Sequence, residues 1–97
     1  MEIRYKTKKL EKICTDASIA RKEKGAEMAK KIFQRIAEIR AAENLAEMLR
    51  FKYGRFHPLS GDRQGQYAMD LVQPHRLVLE VVDGVCIACI IEIVDYH

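Results

Sequence analysis

An α+β domain is what this sequence predicts, with helices laid on one face of a small, mostly antiparallel four-stranded sheet. Two observations carry the prediction. In the first half, Ala29, Ile32, Phe33, Ile36 and Ile39 recur at the i, i+3, i+4, i+7 spacing of one helix face. In the last third, three strand-like runs are divided by Gln73-Pro74-His75 and by Asp83-Gly84, a two-residue hairpin signal. A helical layer with one apolar face and a hairpin-built sheet bury those faces against each other. The 97 residues fit a single domain, 1–97, with one core.

Each element has its own signal. Glu2 to Lys6 predicts a short first strand, with Ile3 and Tyr5 on one face. Thr7 caps a helix running to about Cys14, turning Leu10, Ile13 and Cys14 inward and Lys8, Lys9 and Lys12 outward. Asp16 or Ser18 starts the next helical segment. Gly25 leaves residues 18–41 readable as one helix or two. Asn44 with Glu47 resembles a capping box, opening a short helix that turns Leu45, Met48 and Leu49 inward. Residues 51–64 read as one long irregular segment, in which Pro58 favours extended backbone at His57. The three strands that follow are expected at Gln66–Val72, Arg76–Val82 and Val85–Val94.

Composition narrows the classes. No window holds the roughly 18 apolar residues of a membrane span. The stretch Met1-Glu2-Ile3-Arg4-Tyr5-Lys6 lacks a signal-peptide apolar region, so no membrane association and a cytoplasmic location are expected. Cys86-Ile87-Ala88-Cys89 is not a metal site on this reading. Positions three apart on a strand face opposite ways, and no second ligand pair stands at zinc spacing. The three cysteines read as small buried hydrophobes. The net charge of +3 is uneven: residues 1–50 hold 13 Lys/Arg against 8 Asp/Glu, and residues 51–97 hold 4 against 6.

Two segments concentrate reactive groups. One is the loop from Arg55 through His57 to Arg63 and Gly65; the other is Asp95-Tyr96-His97 after the last apolar run. Together they supply two imidazoles, two carboxylates, a phenol and two guanidiniums. That inventory suits metal-free RNA cleavage, with no cofactor. The substrate's own 2′-hydroxyl attacks, a base takes its proton, and an acid protonates the departing 5′-oxygen. Imidazole serves both proton transfers near neutral pH, and guanidinium matches phosphate oxygens. His57 and His97 are therefore the proton-transfer candidates. Alternation puts Asp95 on the strand face of His97, where it can orient an imidazole or act as base. Tyr96 has two readings: packing beneath the site or stacking on a base. Asp62 reads as a turn residue and His75 as a surface residue. Arg76 alone reads as half of a cross-strand ion pair.

His57-Pro58-Leu59-x-Gly61-Asp62-Arg63-x-Gly65, Arg76 in a following strand, and a final Val94-Asp95-Tyr96-His97 resemble the HigB branch of the RelE-type toxins. The resemblance covers essentially the whole chain. It implies a RelE-like fold and a small bacterial protein that cleaves messenger RNA on the ribosome. It also implies a helix-turn-helix antitoxin (HigA-like) as partner. His57, Asp95, Tyr96 and His97 would then be catalytic, with His97 or Asp95 as base and His57 as acid. Arg76 matches a phosphate-binding position; Arg55 and Arg63 either bind RNA or tie down the loop. Lys8, Lys9, Lys12, Lys30 and Lys31 either form a solvated face or dock on ribosomal RNA phosphates. Two departures remove positive charge from the expected phosphate path: Ser60 and Asp70 stand where many relatives carry basic residues. ParE-like relatives that act on DNA gyrase, and an inactive antitoxin-binding module, are the alternatives on the same fold. The nuclease reading requires that His97 and His57 converge beside Arg76.

Overall fold

The computed structural model describes residues 1–82 and 86–95. The element order is β1 (Glu2–Tyr5), α1 (Lys8–Thr15), α2 (Ala17–Lys24), α3 (Ala26–Ala41), α4 (Leu45–Phe51), β2 (His57–Pro58), β3 (Gln66–Asp70), β4 (His75–Val82) and β5 (Ile87–Asp95). Short 3₁₀ turns at Tyr53–Arg55 and Gly61–Arg63 flank β2. The predicted Asp83-Gly84 hairpin turn lies outside the described residues, as do Tyr96 and His97.

Local chemistry fixes the helix ends. The Thr7 hydroxyl accepts from Leu10 N–H at 3.1 Å, and Asn44 Oδ1 accepts from Glu47 N–H at 2.9 Å. Asp16, not Ser18, begins α2, accepting from the Ser18 and Ile19 amides. The 18–41 stretch is two helices, because Gly25 adopts φ 85° and ends α2 with its amide on the Arg21 carbonyl.

The sheet has five strands, ordered β1-β5-β4-β3-β2, with β1 parallel to β5 and every other pair antiparallel. The fifth strand, absent from the four-stranded expectation, is β2. It has only two residues, His57 paired with Ala68 and Pro58 with Tyr67. Its ingredient is visible in the sequence, since proline pushes the residue before it into extended backbone. A proline also tolerates an edge position, where its missing N–H costs nothing. No alternation is readable in two residues. β3 stops at Asp70, two residues short of the predicted end, and β4 begins at His75.

The helices pack on one face, as the periodicity requires. Ile32, Ile36, Ile39, Met48, Met69, Leu77, Leu79 and Ile90 form the core, and Phe33 is half-buried at its margin. Phe56 is 1% exposed and stacks on Tyr67 with ring centroids 5.1 Å apart. The cysteines differ from expectation. Cys14 is buried, and burial pushes its thiol up to about 12. Cys89 is half-buried, but Cys86 is an exposed turn residue at φ 52°. It falls outside β5, so strand alternation does not govern it.

Phe56 is the anchor of the irregular segment. Phe56→Ala should cost about 3–5 kcal/mol of folding stability. Urea denaturation reads this directly, and a loss under about 1 kcal/mol would show that the ring does not hold the segment down.

Candidate functional site

Burying Phe56 turns its neighbours the other way. Arg55 is exposed and His57 half-buried on either side of it. Strand pairing carries this outward. His57 pairs with Ala68, Ala68 with Val78, and Asp70 with Arg76. Side chains two apart on a strand share a face, so His57, Asp70 and Arg76 stand on the same face, opposite to Met69 and Leu77. His57 and Arg76 line one groove of about 670 Å³, together with Leu49, Lys52, Arg55, Phe56 and Pro58.

Asp70 organises the cations of this groove. Its carboxylate bonds Arg55 Nε and lies 3.6 Å from Arg76 Nε, an ion pair too long for a hydrogen bond. Asp70 is only 14% exposed, whereas Arg55 is 69% exposed. The carboxylate raises the already high pKa of Arg55, first through the hydrogen bond, so that guanidinium stays charged. The Asp70 backbone carbonyl accepts from Arg35 Nε at 2.7 Å. Arg35 is buried and also bonds Glu38 at 2.8 Å. Gly54 lies against the same guanidinium: at φ 60°, a Cβ there would stand 2.5 Å from Arg35 Nε. The glycine serves both the left-handed turn and the close approach.

His57 Nδ1 lies 2.7 Å from the Arg55 carbonyl oxygen. A carbonyl only accepts, so Nδ1 carries the proton and Nε2 is left to take or give one.

Arg63 bonds Gln66 Oε1 at 2.9 Å and the Glu92 carboxylate of β5. It ties its loop across the open face of the sheet, over the buried Ala68 and Val78. Asp95 pairs in register with His75, one position from Arg76, which sets it on the opposite strand face. Its carboxylate is 3.9 Å from His75 Nε2. Lys8, Lys9, Lys12 and Lys30 are exposed on α1 and α3, and Lys31 is half-buried and bonds Gln34 at 3.2 Å. The structure therefore brings together His57, Arg76 and Arg55, and adds Lys52, Asp70 and Arg35. Asp70 appears in the sequence only as a missing positive charge. Its pairing with Arg76 required the β3–β4 register.

No protein-family model matches the chain, and no curated protein does. Solved structures do. A "YoeB/ParE toxin from Agrobacterium tumefaciens" superposes with TM-score 0.70 and 18% identity over all of both chains. A chain of a "YoeB-YefM complex from Staphylococcus aureus" gives TM-score 0.67 and 23% identity, over all of this chain and 97% of that one. A heterotetrameric YoeB-YefM toxin-antitoxin complex from Staphylococcus aureus gives 0.65 and 22%, with the same coverage. At these identities the shared property is the fold.

Asp70→Asn keeps the shape and removes the charge. It should cost about 1–3 kcal/mol of stability. Arg76→Met should then cost less in the Asp70→Asn background than in the native one. Equal costs in the two backgrounds, read from a double-mutant cycle in urea, would mean that the pair is not coupled.

Proposed function

We propose that the chain is a toxin of the RelE/ParE superfamily, of the HigB-like branch, that cuts messenger RNA on the ribosome. In this reading a helix-turn-helix antitoxin holds it inactive. The observation that carries the proposal is the groove where an imidazole, His57, and a guanidinium, Arg76, stand beside Lys52 and Arg55. Likeness of fold to the YoeB/ParE toxin and to the YoeB-YefM complexes supports the toxin class and a protein partner.

The chemistry follows from the groups. The substrate's 2′-hydroxyl gives its proton to His97; Asp95, set on the strand face opposite Arg76, is not the base in this groove. The 2′-oxygen forms a bond to phosphorus, and the bond from phosphorus to the 5′-oxygen breaks. His57, protonated on both nitrogens, gives the Nε2 proton to that oxygen. The products are a 2′,3′-cyclic phosphate and a 5′-hydroxyl. Arg76 stabilises the charge that gathers on the phosphorus oxygens in the transition state. Arg55 and Lys52 hold the incoming backbone, and the lysines of α1 and α3 contact ribosomal phosphates. Tyr96 stacks on a base beside the cut.

One observation favours a second reading. Arg55 and Arg76 both engage Asp70, as a purely structural ion network would. A ParE-like toxin without nuclease chemistry, or an inactive antitoxin-binding module, would need nothing more from them.

A translating extract with mapped RNA 5′ ends separates the readings. The native chain should cleave messenger RNA only when ribosomes are present. His57→Ala and His97→Ala should each lower cleavage at least about tenfold while the fold persists. Arg76→Ala should lower it roughly 10²–10³-fold. Undiminished cleavage in both histidine variants would remove the acid–base pair. Absence of any cleavage by the native chain would leave the second reading.

A further inference from the structure

The cationic groove has a neighbour that the proposed chemistry does not use. Phe51 and Tyr53 are 46% and 45% exposed, two of the three large apolar side chains most open to solvent among the described residues. Their ring centroids are 5.7 Å apart with the planes tilted by 35°. The Arg50 guanidinium sits 5.0 Å from the Phe51 centroid. Aromatic and cationic residues interleave along the chain here, as Arg50-Phe51-Lys52-Tyr53-Gly54-Arg55.

This segment is a ridge between two hollows. Leu49 and Lys52 line the cationic groove with Arg55, His57 and Arg76. Phe51 and Tyr53 line a second hollow with Glu38 and Glu47. A polyanion is repelled from the acidic side and drawn to the cationic side. Glu38 is already paired with Arg35, and Lys52 stands between the two rings in the chain, so a strand whose phosphates follow Arg55 and Lys52 runs beside them. The rings leave no room for a base between them, but an unpaired base can extend their stack on the outside.

We infer that Phe51 and Tyr53 form a stacking platform for an unpaired base of single-stranded RNA, beside the groove that holds its backbone. The inference rests on the reading of RNA as the substrate and adds a binding subsite to it. A base-paired duplex cannot offer a splayed base, so the platform selects single strands. Stacking on a ring accepts any base, so the platform sets position along the strand and not sequence.

The test is equilibrium binding of a fluorescein-labelled ten-nucleotide single-stranded RNA at low salt, with the same RNA annealed into a duplex for comparison. The double variant Phe51→Leu/Tyr53→Leu keeps apolar bulk and loses both rings. It should weaken single-strand binding by about tenfold or more. The exchange Phe51→Tyr/Tyr53→Phe keeps two rings and should bind like the native chain. The native chain should prefer the single strand to the duplex. Equal single-strand affinity for the leucine variant, or no binding by the native chain, would overturn the platform. The ridge would then belong to a protein contact instead. The cleavage assay is read separately. Native cleavage with unchanged leucine-variant affinity sinks the platform alone. Ring-dependent binding without any native cleavage sinks the nuclease alone.

Discussion

Asp70 is the point at which three layers of the molecule are tied together. Its backbone carbonyl takes the buried Arg35 of the helical layer. Its carboxylate takes Arg55 from the segment after α4 and faces Arg76 of the neighbouring strand. Few other side chains could do this at the end of β3. Two guanidiniums brought to one groove repel each other, and the repulsion grows as they leave water. A carboxylate with 14% of its surface exposed offsets that cost between them. It also fixes where both cations stand, which a solvent counterion would not.

The same tie explains why the groove has a defined shape although a short irregular segment forms one of its walls. Phe56 sinks that segment into the core. Gly54 lets it pass against Arg35. The Arg55 carbonyl then meets His57 Nδ1 and settles which imidazole nitrogen carries the proton. Each contact is local and modest. Their joint effect is an imidazole and a guanidinium fixed on one sheet face by strand register, with apolar packing beneath.

What the sequence disclosed follows the range of the forces involved. The helices were readable because caps and apolar spacing are local. Thr7, Asn44 and the Ile32–Ile39 stripe act within a turn or two of themselves. The strands were readable as runs divided by the turn signals Gln73-Pro74-His75 and Asp83-Gly84. The candidate site was readable in part: the groups were named, and His57 and Arg76 do line one groove. Their organiser was not. Asp70 in isolation subtracts charge, and only its pairing opposite Arg76 makes it a clamp. Arg63 was ambiguous for the same reason, since Glu92 is 29 positions away. Asp95 lies in register with His75, a pairing that depends on a bulge in β5 opposite Val78 and Leu79. A shift of one residue flips a side chain to the other face, and no local pattern encodes it.

Charge counted along the chain misleads for the same reason. Residues 51–97 carry more acid than base, which argues against a polyanion there. Among the described residues, three carboxylates of that half face a basic group. Asp70 faces Arg55 and Arg76, Glu92 holds Arg63, and Asp95 lies near His75. Engagement shortens the reach of each charge, because a close pair presents a dipole whose field fades faster than that of either ion alone. The potential met by a strand entering the groove is then set by what stands at its rim. Lys52 and the 69% exposed Arg55, whose guanidinium shares a single carboxylate with Arg76, are at that rim. A chain segment that is acidic by count can in this way present a cationic face, and the fold's register decides which face that is.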